Sequence, residues 1–316
     1  MLLTFKKLGG RYRRFCQEVR SRIVPKLCCE HDPLKLRVAD YKKSDTLYVL
    51  ATGGSINFLP AEAWDDIRAS DSLGINFWLF HKHVPTWLSC ELSRTPSDAE
   101  TLMRVLEKRL PDYQDTAFLL KDIHKLDERY PKWNQEFPLC RINHCYTLFS
   151  PSVRGRSESS LRLSLRWSRR LGLFEKKGTL WALPMKRATV FLAMSFGLMA
   201  GYKRIVLCGV DLNNTAYFYD DESYQKSDGM PATPRLPTTS EKLEQRYASE
   251  GVKMNRAPNP AIHNTIDPAL NSLPMDAIIH AFNEEVLKPK GVELFVALPS
   301  SKLHPRIPAL YKPAQK

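Results

Sequence analysis

Residues that could do chemistry gather at two glycine-marked turns. The first ends the stretch Leu47-Tyr48-Val49-Leu50-Ala51-Thr52-Gly53-Gly54-Ser55. An apolar run, two glycines and a serine predict a strand and a loop whose backbone N–H groups can approach a phosphate or nucleotide. The spacing is not GxGxxG and no Lys follows, so neither the dinucleotide fingerprint nor a P-loop is met, and a plain tight turn is the alternative. The second turn closes the run RATVFLAMSFGLMAGYKRIVLCGVDLNN, Arg187 to Asn214. This run reads as a helix, a glycine turn, a buried strand and a Gly-x-Asp loop. Gly209 and Asp211 then stand where a parallel strand meets solvent, the usual place for a site in an α/β sheet.

Other constellations are thinner. No Asp-x-Asp ends a strand, and the pairs Asp65-Asp66 and Asp220-Asp221 are adjacent, so their side chains should diverge. No Gly-x-Ser-x-Gly elbow occurs, which argues against a serine hydrolase. His81 and His83 share one face of an extended chain but lack a third ligand, and a surface role is expected for them. Cys140, His144 and Cys145 lack the second Cys pair that a closed zinc site needs, so no metal is expected. His263 follows a Pro-rich stretch, in Asn259-Pro260-Ala261-Ile262-His263-Asn264-Thr265. A general base on a segment that closes over bound substrate would act only when substrate is present. A passive histidine is the alternative.

These residues need a scaffold. Small residues Ala188, Ala193, Gly197 and Ala200 among Phe191, Leu192, Met194 and Leu198 let a helix lie close on a sheet, and Gly201 suits its C-terminal cap. Ile205-Val206-Leu207-Cys208 is a short run of the kind buried on both faces. Asp71 to Phe80 predicts another strand containing Gly74-Ile75-Asn76-Phe77. Ser97 to Leu110 predicts a helix capped by Ser97 with Glu100 as its capping-box partner, lined by Leu102, Val105, Leu106 and Leu110. Asp115 to Leu120 reads as a strand, Asp276 to Leu287 as a helix and Val292 to Val296 as a strand after Gly291, closed by Pro299 to Leu303. Alternating strands and helices predict an α/β fold, a mostly parallel Rossmann-like sheet with helices on both faces.

The chain of 316 residues carries a net charge of +13 that is unevenly spread. Residues 1–43 hold 12 Lys/Arg against 4 Asp/Glu, and residues 151–187 hold 10 against 2. In residues 1–43, Phe5, Leu8, Tyr12, Phe15, Val19 and Ile23 recur every three or four positions among basic residues. That predicts a basic amphipathic N-terminal segment suited to an anionic membrane surface, or a helix packed on its own domain. No helix-turn-helix, zinc finger or RNA-binding aromatic motif is present, so nucleic acid is not an expected partner. No apolar stretch approaches the roughly 18–20 residues of a membrane span. The N-terminus lacks a long apolar signal region, and seven cysteines without repeated spacing read as reduced thiols. A cytoplasmic protein is therefore expected. Residues 44–304 are expected to form one domain, with long excursions at 151–186 and 215–262 and a C-terminal tail at 305–316. The second excursion, with Pro231, Pro234, Pro237, Pro258 and Pro260, reads as a lid-like insertion.

The order of these motifs resembles the bacterial family 42 sialyltransferases, of the lipooligosaccharide type, and related motility-associated nonulosonate glycosyltransferases. The resemblance runs over roughly residues 46–100 and 187–304, and is best at Ala200 to Asp211. It implies a GT-A-like variant of the fold and CMP-sialic acid or a related CMP-sugar as donor substrate, with no cofactor. By position, Gly53, Gly54 and Ser55 resemble the loop under the CMP phosphate and ribose. Asn76 matches a nucleotide-contacting Asn, and Thr189 a donor-binding Ser that an Arg precedes. Arg187 stands one residue out of register with that Arg. Gly209 and Asp211 match the loop that holds cytidine. Asn213 stands where the family has a Tyr, and Tyr217 or Tyr219 would stabilise the leaving phosphate. His263 would be the general base, displaced by a longer insertion; without it, Asn271 is nearest that place. The first loop is one residue shorter than the family's and lacks its Asn.

Three readings follow from different classes. One is an inverting, metal-independent transferase, peripheral to the inner face of the cytoplasmic membrane, acting on a glycan or glycolipid acceptor such as lipopolysaccharide. Another is a non-catalytic nucleotide-sugar-binding or scaffold protein with a degenerate site. A basic nucleic-acid-binding protein is a third. A homo-oligomer is left open.

Overall fold

The structure is a computed structural model that describes residues 36–91, 96–121, 144–148, 150–180, 182–213, 215–221, 265–266 and 272–314. Leu36–Arg37 (β1) pairs antiparallel with Thr179–Leu180 (β7) in a small two-stranded sheet. Among the described residues the main sheet has seven strands, all parallel. In chain order they are Thr46–Leu50 (β2), Asp71–Ile75 (β3), Trp87–Glu91 (β4), Ala117–Lys121 (β5), Cys145–Leu148 (β6), Arg204–Cys208 (β8) and Glu293–Val296 (β9). Their spatial order is β6-β5-β4-β3-β2-β8-β9. The chain thus steps outward from β2 on one side, then returns to lay β8 and β9 on the other. Leu47 pairs with Ile205 and Leu50 with Cys208, so the two glycine turns leave the sheet side by side.

Strand periodicity explains why both faces are covered. Leu47, Val49, Ile205 and Leu207 enter one core, whereas Tyr48, Leu50, Val206 and Cys208 enter the other. The second core receives Ala63 and Ile67 of Ala61–Ala69 (α1) and Leu102, Val105 and Leu106 of Pro96–Arg109 (α2). The first receives Leu161 and Leu165 of Glu158–Arg170 (α3), the helix Thr189–Met199 (α4) and Met275–Phe282 (α5). Every residue of α4 is buried. A Cβ on Gly197 would lie 2.7 Å from the Ile205 side chain, so glycine there sets the close approach of helix and sheet. The helix ends at Gly201, whose φ of 78° is the left-handed cap conformation.

Several expectations need adjustment. The strand from Asp71 stops at Ile75, because Asn76 turns left-handed (φ 53°) into a 3-10 turn, Asn76–Phe80. Helix α2 begins at Pro96, which places Ser97 inside its first turn rather than at its cap. The helix from Met275 passes at Asn283 into a wider π turn, Asn283–Leu287. Residues 151–186 are more than a surface loop: Ser157 caps α3 and its Leu161 and Leu165 reach the core. Residues 307–311 join the domain, since Leu310 N–H donates to Val296 O and the Tyr48 and Tyr311 hydroxyls bond at 2.7 Å. His81 and His83, expected at the surface, are drawn inward: the His81 ring stacks on both Trp64 (4.9 Å) and Trp78 (4.4 Å). Asp65 and Asp66 diverge, to Arg68 and Tyr311 respectively. The basic segment up to residue 35, and most of the Pro-rich stretch with His263 and Asn271, lie outside the described residues.

Candidate functional site

A cavity of ≈ 210 Å³ opens where β2, β3 and β8 end. This is the point at which strand order reverses, between β2 and β8, and open α/β sheets bind ligands outside such a crevice. Gly53, Asn76, Thr189, Gly209, Asp211 and Tyr217 all line it. The sequence thus anticipated six lining residues drawn from four separate segments. Gly54, Ser55, Arg187, Asn213 and Tyr219 do not line it. Thr52, Ala216, Leu212, Thr265 and Met275 do, and were not anticipated. Thr52 could have been found, since it sits inside the same Ala-Thr-Gly-Gly-Ser run. The others carry no local signal.

The glycine loop differs from a phosphate cradle. Gly53 N–H donates to Gly209 O (2.9 Å), Gly54 N–H to Ala216 O (3.0 Å) and Ser55 N–H to Asp211 Oδ2 (3.0 Å). All three amides are therefore used within the protein. The Ser55 hydroxyl adds a short hydrogen bond to Asp211 Oδ1. A Cβ on Gly53 would lie 2.5 Å from Gly209 O and 2.6 Å from the Asp211 carboxylate. Glycine is required at Gly53 because two loops touch there. At Gly209 the backbone is left-handed (φ 67°) and an added Cβ would meet Ala51 O at 2.6 Å. The Gly-Gly-Ser and Gly-x-Asp signals belong to a clamp that joins β2 to β8 and forms one wall of the cavity.

Other groups face the cavity with capacity for a ligand. Helix α4 starts there, with Ala188, Thr189 and Val190 in the lining and no side-chain cap on its N-terminus. The first turn of a helix offers N–H donors and a partial positive charge. Asn76 also lines the cavity, and its Oδ1 is buried with no hydrogen-bond partner among the described residues. A buried acceptor left unpaired is costly, as is a left-handed non-glycine residue. Tyr217 stacks on Tyr219 (5.1 Å, 11°), and Tyr217 N–H donates to Asp220 Oδ2 (2.8 Å). Phe218 N–H donates to Thr52 O, so residues 216–218 run alongside the glycine loop and hold Tyr217 at the cavity. Tyr219 is buried behind it. Asn213 donates to Ser300 O (2.7 Å) and Ser301 to Val210 O (2.7 Å), ties that brace the loop after β8.

Arg187 faces a second cavity of ≈ 210 Å³ beside the first, with Arg156, Lys186, Ser152 and Ser272 also in its lining. Its backbone is left-handed (φ 65°) and its guanidinium donates to Leu273 O (2.5 Å). Lys186 donates to Gly155 O (2.7 Å). Burial holds both cations below their usual pKa, and the Arg187 charge adds to the effect on Lys186. Among the described residues, no carboxylate lines this cavity.

Among the described residues no group of three or more His, Cys, Asp or Glu could hold a metal ion. Among the described residues Cys90, Cys145 and Cys208 are buried and form no disulfide, and burial pushes the Cys90 thiol up to about 12. His280, on α5, is buried, which lowers its pKa. No helix of the described residues is long and apolar enough to cross a membrane. In comparisons with known proteins, no family model, no curated protein and no solved structure matches this chain.

Proposed function

We propose that the chain is an inverting, metal-independent glycosyltransferase that moves sialic acid or a related nonulosonate from a CMP-activated donor to a glycan acceptor. The observation that carries this reading is Asn76: a left-handed residue in the switch-point cavity whose buried Oδ1 lacks a partner among the described residues. Such an acceptor suits a donor group on a ligand, and cytosine offers an exocyclic amine. The start of α4 is in the cavity lining, and a helix N-terminus suits the phosphate. Tyr217 is in the cavity lining and would donate its hydroxyl proton to the oxygen that CMP carries away. Thr265, two residues after His263 in sequence, lines the cavity, which supports His263 as the base that takes the acceptor proton. One displacement through an oxocarbenium-like state inverts the anomeric carbon. The cationic cavity holding Arg187 suits an anionic acceptor such as lipopolysaccharide. The fold would be a GT-A-like variant with residues 215–262 as a lid, held at the inner face of the cytoplasmic membrane by the basic leader.

A second reading keeps one specific observation. The amides of Gly53, Gly54 and Ser55 are all bonded within the protein, which suits a nucleotide-sugar-binding protein without turnover. Incubation with labelled CMP-sialic acid, with and without EDTA, separates the two. Release of CMP that survives chelation is expected for the transferase. CMP binding without turnover supports the second reading, and a protein that does not bind CMP loses both.

A further inference from the structure

We infer that the outer face of α3 is a docking surface for an anionic lipid bilayer. Leu163, Trp167 and Leu171 are 55%, 53% and 75% exposed. Their spacing of four puts them in one row along the helix. Among the described residues, the only other exposed large hydrophobic side chain is Phe58, at 37%. The row cannot turn inward, because the opposite side of the helix is fixed. Leu161 and Leu165 are buried, the Arg162 and Arg166 guanidinium groups reach the Glu285 carboxylate at 3.1 and 2.6 Å, and Arg169 donates to Glu285 O.

Charge decides which partner fits. Arg170 stands over the Trp167 ring at 5.6 Å, Arg166 is half exposed, and Arg154 and Arg156 are exposed just before the helix. The one carboxylate on the helix, Glu158, is paired with Arg162 at 2.8 Å. An apolar row carrying Trp, flanked by arginines, is the composition of helices that lie at the boundary of headgroups and acyl chains. Anionic headgroups supply the complementary charge. Gly155 and Arg156, just before α3 in the chain, also line the cationic cavity. This surface is separate from the basic leader, and the inference does not depend on the transferase reading.

The test uses the full chain and phosphatidylcholine vesicles with about one third phosphatidylglycerol, an anionic surface of the required kind. Wild-type protein is expected to sediment with these vesicles and only weakly with neutral ones. Combined Leu163→Ser, Trp167→Ser and Leu171→Ser should lower partitioning at least about tenfold, since apolar burial contributes to it. Thermal stability should not change, because these side chains are exposed. Independently, lipids brominated in the acyl chain should quench tryptophan emission of the wild type, and Trp167→Phe should remove that quenching. Wild-type protein that ignores the vesicles, a triple variant that binds as before, or quenching that persists in Trp167→Phe would each overturn the inference. Unchanged vesicle binding with a change of oligomeric state would also do so, and would assign the face to a second copy of this chain.

Discussion

Ser55 and Asp211 are bonded twice across the junction of β2 and β8: the Asp211 carboxylate accepts from both the backbone N–H and the hydroxyl of Ser55. Asp211 is buried, so these donors offset the desolvation of its charge. Ser55→Ala is expected to cost about 1–3 kcal/mol of stability, the range for a hydrogen bond to a charged group. CMP affinity should stay near wild type, since Ser55 does not line the cavity. Denaturant unfolding with CMP titration checks both. A stable variant that no longer binds CMP would return Ser55 to the ligand.

Asn76 allows backbone and side chain to be tested separately. Asn76→Gly keeps the left-handed turn without strain but deletes the unpaired acceptor. Stability should remain within about 1 kcal/mol of wild type, as glycine accepts this conformation. CMP affinity should fall about tenfold, the equivalent of one hydrogen bond. Calorimetric titration measures it, and equal affinity in the two proteins would remove Asn76 from the site.

For His263, replacement by Ala should lower transfer by about 10²- to 10⁴-fold, the span for losing a general base. CMP affinity should change little. Single-turnover transfer from a labelled CMP-sugar is the measurement. His280→Ala is the control, expected to act through stability because His280 is buried on α5. A greater loss of turnover in a folded His280 variant would move the base there.

Acid should destabilise the domain through His81 and His83. Burial pushes their pKa values down from 6.5 to about 3 and about 4, with the His83 charge adding to the His81 effect. Both are neutral in the fold and charge on unfolding, so their contribution is fully present above pH 6.5 and is lost as pH falls toward the folded values. The slope is roughly 1.4 kcal/mol per pH unit for each group. His81→Phe keeps an aromatic ring between Trp64 and Trp78, and should flatten the decline of melting temperature between pH 6.5 and about 4. An unchanged decline would show that carboxylates control it.

Sequence by itself determined the elements near β2 and β8, because their signals are local. A short apolar run over Leu47 to Leu50, small residues at Ala193 and Gly197, and glycines at 201 and 209 each act within a few residues of themselves. Their order also placed Gly53, Asn76 and Asp211 at one edge of a parallel sheet, and they share one cavity. Tertiary structure alone decided what those residues bond to. The partners of the Gly53, Gly54 and Ser55 amides lie more than 150 residues away in sequence, and no local pattern could show those donors to be occupied. It likewise drew His81 between two tryptophans and left Leu163, Trp167 and Leu171 outside while Leu161 and Leu165 went in. Periodicity identifies an apolar face, but only the neighbouring elements determine which face is covered.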